Sequence, residues 1–218
     1  MSIPKFKNPR LLELALTHRS AVNEPRFGNE SNERLEYLGD AVLELITSEY
    51  LFHRFPREPE GKLTAYRSAL VKTDTLAQLA KELGLDRLLK LSRGEAKSGG
   101  RENPSLLADT TEAVIGALYL DQGLKTTREF LKKHLFTKLP AILKEKAYLD
   151  PKSHLQELVQ AQKLPTPKYR VIKASGPDHK KTFTVAVMVD DQVVGEGTGQ
   201  SKRQAQQQAA RLAIEKYT

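Results

Sequence analysis

The sequence predicts a multidomain protein in which an all-α domain is followed by a smaller α+β domain with the element order α-β-β-β-α. Two observations support this prediction. Apolar residues recur at helical spacing almost without interruption from Leu11 to about Lys146. Beyond Ala147 the chain shows one helical segment, three strand-like segments and a final helix, an order typical of a compact α+β unit. We therefore expect two domains, residues 1–146 and residues 147–218.

The predicted helices of the first domain are amphipathic stretches in which apolar side chains recur every three or four residues. They occupy residues 11–16, 35–46, 63–83, 106–120 and 126–139. Stretches rich in glycine and proline, at residues 56–61 and 94–104, separate some of them. The domain is therefore expected to consist of helices joined by turns.

The second domain is predicted from its capping and turn signals. Asp150-Pro151 has the form of an N-cap followed by proline in the first helical turn. Alternating and β-branched residues then predict three strands, the last two joined at the turn signal Asp190-Asp191. The last helix is expected to begin with a capping box, in which Ser201 and Gln204 each bond the other's backbone N–H.

The composition limits the classes of function. The chain has 218 residues, of which 39% are hydrophobic and 28% charged, as in soluble globular proteins. The formal net charge of +8 favours nucleic acid or another anionic surface as partner, although a basic protein without such a partner can carry the same charge. Because there are no cysteines, disulfides, thiolate metal sites and cysteine nucleophiles are excluded. The first ten residues lack a secretory apolar segment and no run is long enough to span a membrane, so we expect a cytoplasmic protein without a membrane partner.

Three carboxylates in an apolar stretch are the strongest functional signal. Glu33, Glu36 and Asp40 are spaced at i, i+3 and i+7, so they lie on one stripe of a helix with about 3.6 residues per turn. Like charges on one stripe repel unless a cation lies among them, and carboxylate oxygens are ligands that Mg²⁺ prefers. The stripe therefore predicts a metal site.

Two simpler explanations remain open for part of this stripe. Acidic residues are favoured in the first turn of a helix, and Asn32 or Ser31 could cap this one. Salt bridges to neighbours such as Arg34 would suit a surface position. The first explanation does not account for Asp40, which lies two turns into the helix.

A second acidic pair favours the metal site. Asp109 and Glu112 lie at i and i+3 in another helical stretch, and Gly116 follows Glu112 by one turn. Gly39 directly precedes Asp40. Because glycine permits close approach of two backbones, we expect the two helices to cross there and the acidic stripes to converge.

Acid–base catalysis by two histidines without a metal is a competing mechanism. The five histidines are scattered without paired spacing, and we expect them to be surface or structural residues. They are His18, His53, His134, His154 and His179.

Cations at the start of the last helix are a second functional signal. Lys202 and Arg203 are expected in its first turn, where positive charge opposes the helix dipole. A bound phosphate removes this conflict, because free N–H groups, dipole and side chains would all face one anion. A solvated pair of charges is the simpler alternative.

Together these motifs resemble those of bacterial ribonuclease III. The segment Asn32-Glu-Arg-Leu-Glu-Tyr-Leu-Gly-Asp40 is similar to the signature motif of that family, and residues 94–100 and 108–116 are similar to two further family blocks. Residues 150–217 resemble a double-stranded-RNA-binding domain. The resemblance covers nearly the whole chain in the order of the family, and it implies an all-α endonuclease domain followed by an α-β-β-β-α RNA-binding domain.

The resemblance implies a metal centre with Mg²⁺ as cofactor, for which Mn²⁺ could substitute. The family's metal-binding carboxylates are matched by Glu36, Asp40, Asp109 and Glu112. Of these, Asp40 and Glu112 match the two most often assigned as catalytic. Glu33 and Glu60 match acidic residues at the cleft ends, which are associated with dimer contacts or positioning of the cut strand.

The resemblance also assigns the RNA-binding face of the second domain. Such domains recognise the shape and 2′-OH groups of A-form RNA over roughly 16 base pairs. The first-helix face is matched by Ser153, Gln156 and Glu157, and the loop between strands is matched by Gly176, Pro177 and His179. The last-helix end is matched by Ser201, Lys202 and Arg203. Gln206 departs from the family, where bacterial members usually have an acidic residue, which leaves the phosphate affinity at that point open.

The function implied is that of a homodimeric endoribonuclease that hydrolyses double-stranded RNA with Mg²⁺. Two sites would each cut one strand, leaving 5′-phosphate and 3′-hydroxyl ends with short 3′ overhangs, and a role in rRNA and mRNA processing is implied. The alternative is a non-catalytic double-stranded-RNA-binding protein on a nuclease scaffold. Such a protein would be expected to lack one of the carboxylates.

Overall fold

The structure, a computed structural model, describes residues 3–22, 24, 29–177 and 181–217. The chain separates into two compact units, Met1–Tyr148 and Leu149–Thr218. The described part of the first unit is helical, with two longer helices, α2 and α7, and several shorter ones. Its α-helices are α1 Pro9–Ala15, α2 Glu33–Arg54, α3 Glu60–Val71, α4 Thr73–Leu83, α5 Leu85–Leu88, α6 Arg93–Lys97, α7 Pro104–His134 and α8 Leu139–Lys144.

The helical expectation for the first unit is confirmed, with two differences in where helices break. The stretch 63–83 forms two helices because Lys72, between α3 and α4, is extended with ψ of 152°. The stretch 106–120 and the first part of 126–139 instead share α7, which ends at His134 and contains one non-helical residue, Gly123, with φ of 78°. Positive φ is accessible to glycine at no steric cost, so the helix kinks there and then continues.

The core of the first unit is built around α2 and α7. Leu43 and Ile46 of α2 and Ile115 and Leu118 of α7 are fully buried. The apolar faces of both helices were visible as period-3.6 patterns, and burial of such faces is the main source of helix stability in a folded domain.

The two long helices cross with their backbones in contact at Gly39 and Gly116. A Cβ atom built on Gly39 would lie 1.8 Å from the carbonyl oxygen of Glu112, and one on Gly116 would lie 2.3 Å from that of Leu35. Cβ atoms do not come this close to other heavy atoms, so only glycine fits either position. The close crossing predicted from the two glycines is therefore present.

The second unit has the predicted order α-β-β-β-α. Helix α9 (Pro151–Ala161) precedes the strands β1 (Lys168–Ser175), β2 (Thr182–Val189) and β3 (Gln192–Gly199), and α10 (Lys202–Ile214) follows. The strands form one antiparallel sheet in the order β1-β2-β3. The β2–β3 hairpin turns at Asp190 and Asp191, whose φ values of 51° and 60° suit a tight two-residue connection.

Glycine and alanine residues form the packing contact between α10 and β3. Gly195, Gly197 and Gly199 face the helix, and a Cβ on Gly197 would lie 2.2 Å from the backbone nitrogen of Ala209. Ala205, Ala209 and Ala213 are fully buried on the facing side of α10. The helix thus lies against the strand with almost no side chain between the two backbones.

The helix starts of this unit were predicted with one error. Asp150 caps α9, since its carboxylate accepts the backbone N–H groups of Lys152 and Ser153. Ser201 caps α10 by accepting the N–H of Gln204 at 3.2 Å. The prediction of a reciprocal bond from Gln204 to the N–H of Ser201 is wrong. The Gln204 side chain accepts the N–H of Gln200 at 3.0 Å instead.

We expect Gly39→Ala to destabilise the first unit by roughly 3 kcal/mol, because the added methyl group forces α2 and α7 apart where overpacking cannot relax. Equilibrium unfolding in urea measures this change.

The control is Gly61→Ala. Gly61 lies in the first turn of α3, and a Cβ there would meet nothing within 4 Å. This variant should match or exceed the parent by about 0.5 kcal/mol, as expected for a glycine replaced in an unstrained helix. Equal stability of the two variants would mean that the crossing tolerates a side chain.

Candidate functional site

The crossing of α2 and α7 brings acidic residues from both helices together. Glu36 and Asp40 lie on α2 one turn apart, and Asp109 and Glu112 lie on α7 one turn apart. Glycine contact at the crossing places Glu112 directly opposite Gly39, the residue between the two α2 carboxylates. The site is therefore a consequence of the close helix pair.

Three of these carboxylates converge closely enough to share one cation. Glu36, Asp109 and Glu112 each offer a carboxylate oxygen, and these oxygens lie within 4.8 Å of one another. Hard oxygen donors at this separation suit Mg²⁺, which is usually held by one or two carboxylates together with waters and substrate oxygens. Asp40 is exposed and stands outside this group, but its charge acts on Glu112.

Burial and mutual repulsion both make these carboxylates harder to ionise. Burial, followed by the charges of Asp40, Asp109 and Glu36, raises the pKa of Glu112 to about 8. Burial and then Asp109 and Glu33 raise the pKa of Glu36. Burial also raises the pKa of Asp109. A cation among them would relieve this repulsion, as the sequence suggested.

The remaining acidic residues of the predicted cleft lie outside the convergent group. Glu33 accepts a hydrogen bond from Ser31 Oγ at 2.9 Å and forms an ion pair with Arg19 at 3.6 Å. Glu60 is the first residue of α3 and accepts a hydrogen bond from Thr64 Oγ1 at 2.9 Å.

Glu33 and Glu36 do lie in the first turn of α2, where acidic residues are favoured, but the suggested side-chain cap by Asn32 is absent. Asn32 is buried, and its amide nitrogen donates to the backbone oxygen of Ala15 instead. Glu33 has Arg19 as its ion-pair partner instead of the suggested Arg34.

A neighbouring ion pair extends the acidic stripe of α2 by one turn. Glu44 follows Asp40 at i+4 and pairs with Arg67 of α3 at 2.8 Å, while Arg67 also donates to Ser48 Oγ at 2.9 Å. The charge of Glu44 contributes to the raised pKa of Glu112, after burial and the charges of Asp40, Asp109 and Glu36. Its i+4 spacing from Asp40 was a signal that could have identified it.

Two further residues act electrostatically at the site, and only Glu95 lies in a stretch that the sequence singled out, the family block at residues 94–100. His18 acts electrostatically on Asp109, and Glu95 of α6 acts on His18. Neither is spaced regularly from the acidic motifs, because they reach the site from separate segments of the fold.

In the second unit, the residues assigned to RNA contact are exposed where the structure describes them. On α9, Ser153, Gln156 and Glu157 point away from the buried Leu155 and Val159. The other exposed positions are Gly176 and Pro177 after β1, and Ser201, Lys202 and Arg203 at the start of α10. His179 lies outside the described residues.

The side chain of Gln206 is turned toward α9. Its Oε1 accepts a hydrogen bond from Lys152 Nζ at 3.0 Å, and Lys152 Nζ also lies 4.8 Å from the centre of the Tyr169 ring. The uncommon residue noted in the sequence thus joins the two helices of the unit. Lys152 was not singled out by any sequence pattern.

Comparison with protein families identifies both units. The model of the Ribonuclease-III-like family matches residues 8–139, and that of the double-stranded RNA binding motif matches residues 151–217.

Comparison with known proteins finds relatives of nearly the same length. The chain is 44% identical over 212 residues to Ribonuclease 3 of Bdellovibrio bacteriovorus, covering 97% of this chain and 91% of the relative. It is 48% identical over 213 residues to Ribonuclease 3 of Desulforamulus reducens, covering 97% and 86%.

Two solved structures of related nucleases are also similar to this chain. The nuclease domain of ribonuclease III from Campylobacter jejuni, described for flexibility in a region involved in its dimer formation, matches with a TM-score of 0.58 and 40% identity over 62% of this chain and 92% of that one. Dicer from Pichia stipitis matches with a TM-score of 0.50 and 29% identity over 99% and 97%.

The raised pKa of Glu112, about 8, predicts how the metal-free protein responds to pH. The folded state holds a proton that the unfolded state releases near pH 4.5, so stability falls as the pH rises from that value toward 8. Glu112→Gln removes this penalty. Allowing for solvent screening of a partly exposed group, we expect it to stabilise the metal-free protein at pH 9 by about 1–2 kcal/mol, with little effect at pH 4.5.

Urea unfolding in EDTA at both pH values measures the difference. Glu129→Gln, an exposed position on the same helix, serves as the matched control and should show no such pH dependence. Parallel pH profiles for the parent and Glu112→Gln would show that Glu112 ionises without penalty.

Proposed function

Because the chain belongs to the ribonuclease III family and is therefore an endoribonuclease that acts on double-stranded RNA, we propose that the carboxylates at the crossing of α2 and α7 hold Mg²⁺ for the hydrolysis. The observation that carries this proposal is the convergence of Glu36, Asp109 and Glu112, with the pKa of Glu112 raised by burial and by its acidic neighbours. Mn²⁺, also a hard divalent cation, is the expected substitute.

We assign residues 1–146 to the endonuclease domain and residues 147–218 to the RNA-binding domain. Within the first, the proposed metal ligands are Glu36, Asp40, Asp109 and Glu112. Asp40 and Glu112 are the proposed catalytic pair. Asp40 is exposed and Glu112 is half-buried, so substrate can reach the first while the second stays close to the other ligands.

Hydrolysis needs a nucleophilic water and stabilisation of the leaving 3′ oxygen. When bound, Mg²⁺ supplies both, by polarising the water and by neutralising negative charge on the phosphate. The four carboxylates would orient the bound ion. Its positive charge would offset their negative charge before the RNA phosphate approaches. The products are expected to carry 5′-phosphate and 3′-hydroxyl ends with short 3′ overhangs.

Glu33 and Glu60 are proposed to act at the ends of the cleft, in dimer contacts or in placing the cut strand. Both are exposed, and neither belongs to the convergent carboxylates. Glu33 pairs with Arg19, and Glu60 accepts a hydrogen bond from Thr64.

The RNA-binding face is proposed to consist of three exposed clusters. They are Ser153, Gln156 and Glu157 on α9, Gly176, Pro177 and His179 after β1, and Ser201, Lys202 and Arg203 on α10. The first two clusters would lie in successive minor grooves and the third on the phosphates between them. The free N–H groups at the start of α10 add to the two cations in attracting a phosphate.

We also propose that the chain forms a homodimer through α2. Tyr37 is 82% exposed although it lies in an apolar stretch, and Leu120 nearby is 54% exposed. Both line a groove of about 860 Å³ together with Leu11, Leu14 and Leu38. An exposed aromatic ring beside an apolar groove suits a twofold interface, in which each copy fills the groove of the other. Sedimentation equilibrium, which reports the mass of the assembly, tests this assignment.

The cellular role is proposed to be rRNA and mRNA processing in the cytoplasm, as the family resemblance suggests. None of the described helices combines the length and apolarity that a membrane span requires. A non-catalytic RNA-binding protein on the same scaffold is the alternative, but all four carboxylates expected of a nuclease are present.

The proposal predicts Mg²⁺-dependent cleavage of a long labelled RNA duplex into short duplexes with 5′-phosphate ends, and no cleavage in EDTA. Glu112→Gln should abolish cleavage and still bind the duplex in a gel-shift assay, whereas Glu129→Gln should cleave normally. Products with 2′,3′-cyclic phosphates would contradict metal-assisted hydrolysis. Binding without cleavage by the parent would favour the non-catalytic alternative.

We expect Lys202→Ala to weaken duplex binding and to reduce the salt dependence of binding by about one unit in slope, because one phosphate contact is lost. Titrations at several salt concentrations measure the slope. Arg211→Ala, nine residues further along α10 and hence about 14 Å away, should leave it unchanged. An unaltered slope for Lys202→Ala would remove this side chain from the phosphate contacts.

A further inference from the structure

Lys152 lies in the first turn of α9, and its side chain reaches the last helix of the same unit. Its Nζ donates to Oε1 of Gln206 at 3.0 Å and lies 4.8 Å from the centre of the Tyr169 ring. An ammonium group has three N–H donors, of which Gln206 takes one. Two groups from separate segments of the chain therefore fix the position of this ammonium group and leave it able to bind a further acceptor.

Neither of these partners carries a negative charge. Gln206 is an amide, and burial followed by the charge of Asp150 raises the pKa of Tyr169 to about 12, so its phenol stays neutral at physiological pH. In the part of the chain that the structure describes, no carboxylate forms an ion pair with Lys152. The nearest carboxylate in the sequence, Asp150, instead accepts backbone N–H groups in the first turn of α9. Lys152 is thus held in place without being neutralised.

The ammonium group lies on the side of the unit that carries the proposed RNA contacts. Gln206 follows Lys202 by four residues and Arg203 by three, so the three side chains share one face of α10 within about one turn. On α9, Lys152 precedes Gln156 by one turn. The hydrogen bond to Gln206 therefore adds a third cation beside the pair at the start of α10, on the side of α9.

A phosphate oxygen is the ligand that suits this ammonium group. Lysine binds phosphate as a point charge, and each phosphate contact on a duplex releases condensed counterions. A free lysine side chain loses rotamer freedom when it binds. Lys152 has already lost part of this freedom in its contacts with Gln206 and Tyr169, so it has less to lose when a phosphate binds.

We propose that Lys152 binds a phosphate of the RNA duplex where α9 meets α10, and that Gln206 positions its ammonium group without neutralising it. The inference rests on the RNA-binding face assigned under the proposed function. It adds a third cation to Lys202 and Arg203 at the phosphates between the two minor grooves. It also explains why an amide suits position 206, since a carboxylate there would form an ion pair with Lys152 and cancel the charge that attracts the phosphate.

The test removes the charge of Lys152 and keeps its stem. Lys152→Met leaves an unbranched side chain of similar length beside Tyr169. Binding to a labelled duplex of about 20 base pairs, longer than the roughly 16 that such a domain covers, is measured by fluorescence anisotropy at several KCl concentrations. The whole chain is used in EDTA, which withholds the metal required for cleavage, and the melting temperature of each variant is measured alongside.

We expect Lys152→Met to bind about eightfold more weakly at about 0.1 M KCl and to lower the salt slope by about one unit, because one phosphate contact with a slope of about 0.9 is lost. The melting temperature should change little. Lys168→Met is the matched control. Lys168 is exposed in β1 directly before Tyr169 and so points to the opposite face of the sheet, and this variant should bind as the parent does.

A second variant tests the positioning by Gln206. Gln206→Met removes the acceptor of the hydrogen bond and leaves the charge of Lys152 in place. We expect it to weaken binding about threefold with the salt slope of the parent, since only the ordering of the lysine side chain is lost. In the Lys152→Met background the same change should have no further effect.

Parent-like affinity and slope in Lys152→Met would overturn the proposal, and so would an equal effect of Lys168→Met, which would indicate net charge alone. Equal weakening by Gln206→Met with and without Lys152 would contradict the positioning role. Lys202→Ala in the same assay distinguishes these failures from failure of the proposed function. If Lys202→Ala lowers the slope and Lys152→Met does not, only the role of Lys152 is wrong. If neither variant lowers it, the assignment of the RNA-binding face is itself wrong.

Discussion

Backbone meets backbone where α2 crosses α7, because Gly39 and Gly116 leave no side chain between the helices. This contact sets the distance between the two acidic stripes. With a side chain at either glycine the helices would separate, and carboxylates on opposite helices would no longer lie within reach of one ion. Core packing and site geometry in the first unit therefore depend on the same pair of residues, which is why a change in one is expected to alter the other.

The convergence of the carboxylates works against the stability of the folded state. Burial and like charge raise the pKa of Glu112, Glu36 and Asp109 together. Groups perturbed in this way are characteristic of functional sites, where local stability is given up for binding or chemistry. The surrounding fold supplies only partial compensation, through Arg19 and the ring of His18 acting on Asp109. A divalent cation would compensate much further, so metal binding and folding of this region should be linked.

The sequence was informative wherever a signal was local or periodic. Helices, strands and the cap of Asp150 follow from spacing and capping chemistry within one segment, and Gly39 and Gly116 were noticed because each adjoins an acidic motif. Interactions between distant segments left no such trace. His18 acts electrostatically on Asp109 from a distant segment of the chain, and Lys152 of α9 donates a hydrogen bond to Gln206 of α10. The sequence did not predict that α7 kinks at Gly123 and then continues, or that the N–H of Gln200 bonds the Gln204 side chain. Turn signals indicate a break in regular structure without giving its form.

The seating of α10 on β3 by glycine and alanine has a consequence for how the second unit folds. Neither residue has side-chain rotamers to lose, so docking of the helix incurs almost no side-chain entropy cost. The opposing cost lies in the main chain, since Gly195, Gly197 and Gly199 are the residues that gain most freedom when unfolded. Chain entropy and close van der Waals contact thus determine how strongly α10 packs on the sheet. They also determine the orientation of Lys202 and Arg203 at the start of this helix. Apart from Gln208, whose Oε1 accepts the backbone N–H of Thr198 at 2.6 Å, the glycine and alanine contacts have no flexible groups with which to adapt, so we expect the helix to dock in a single geometry.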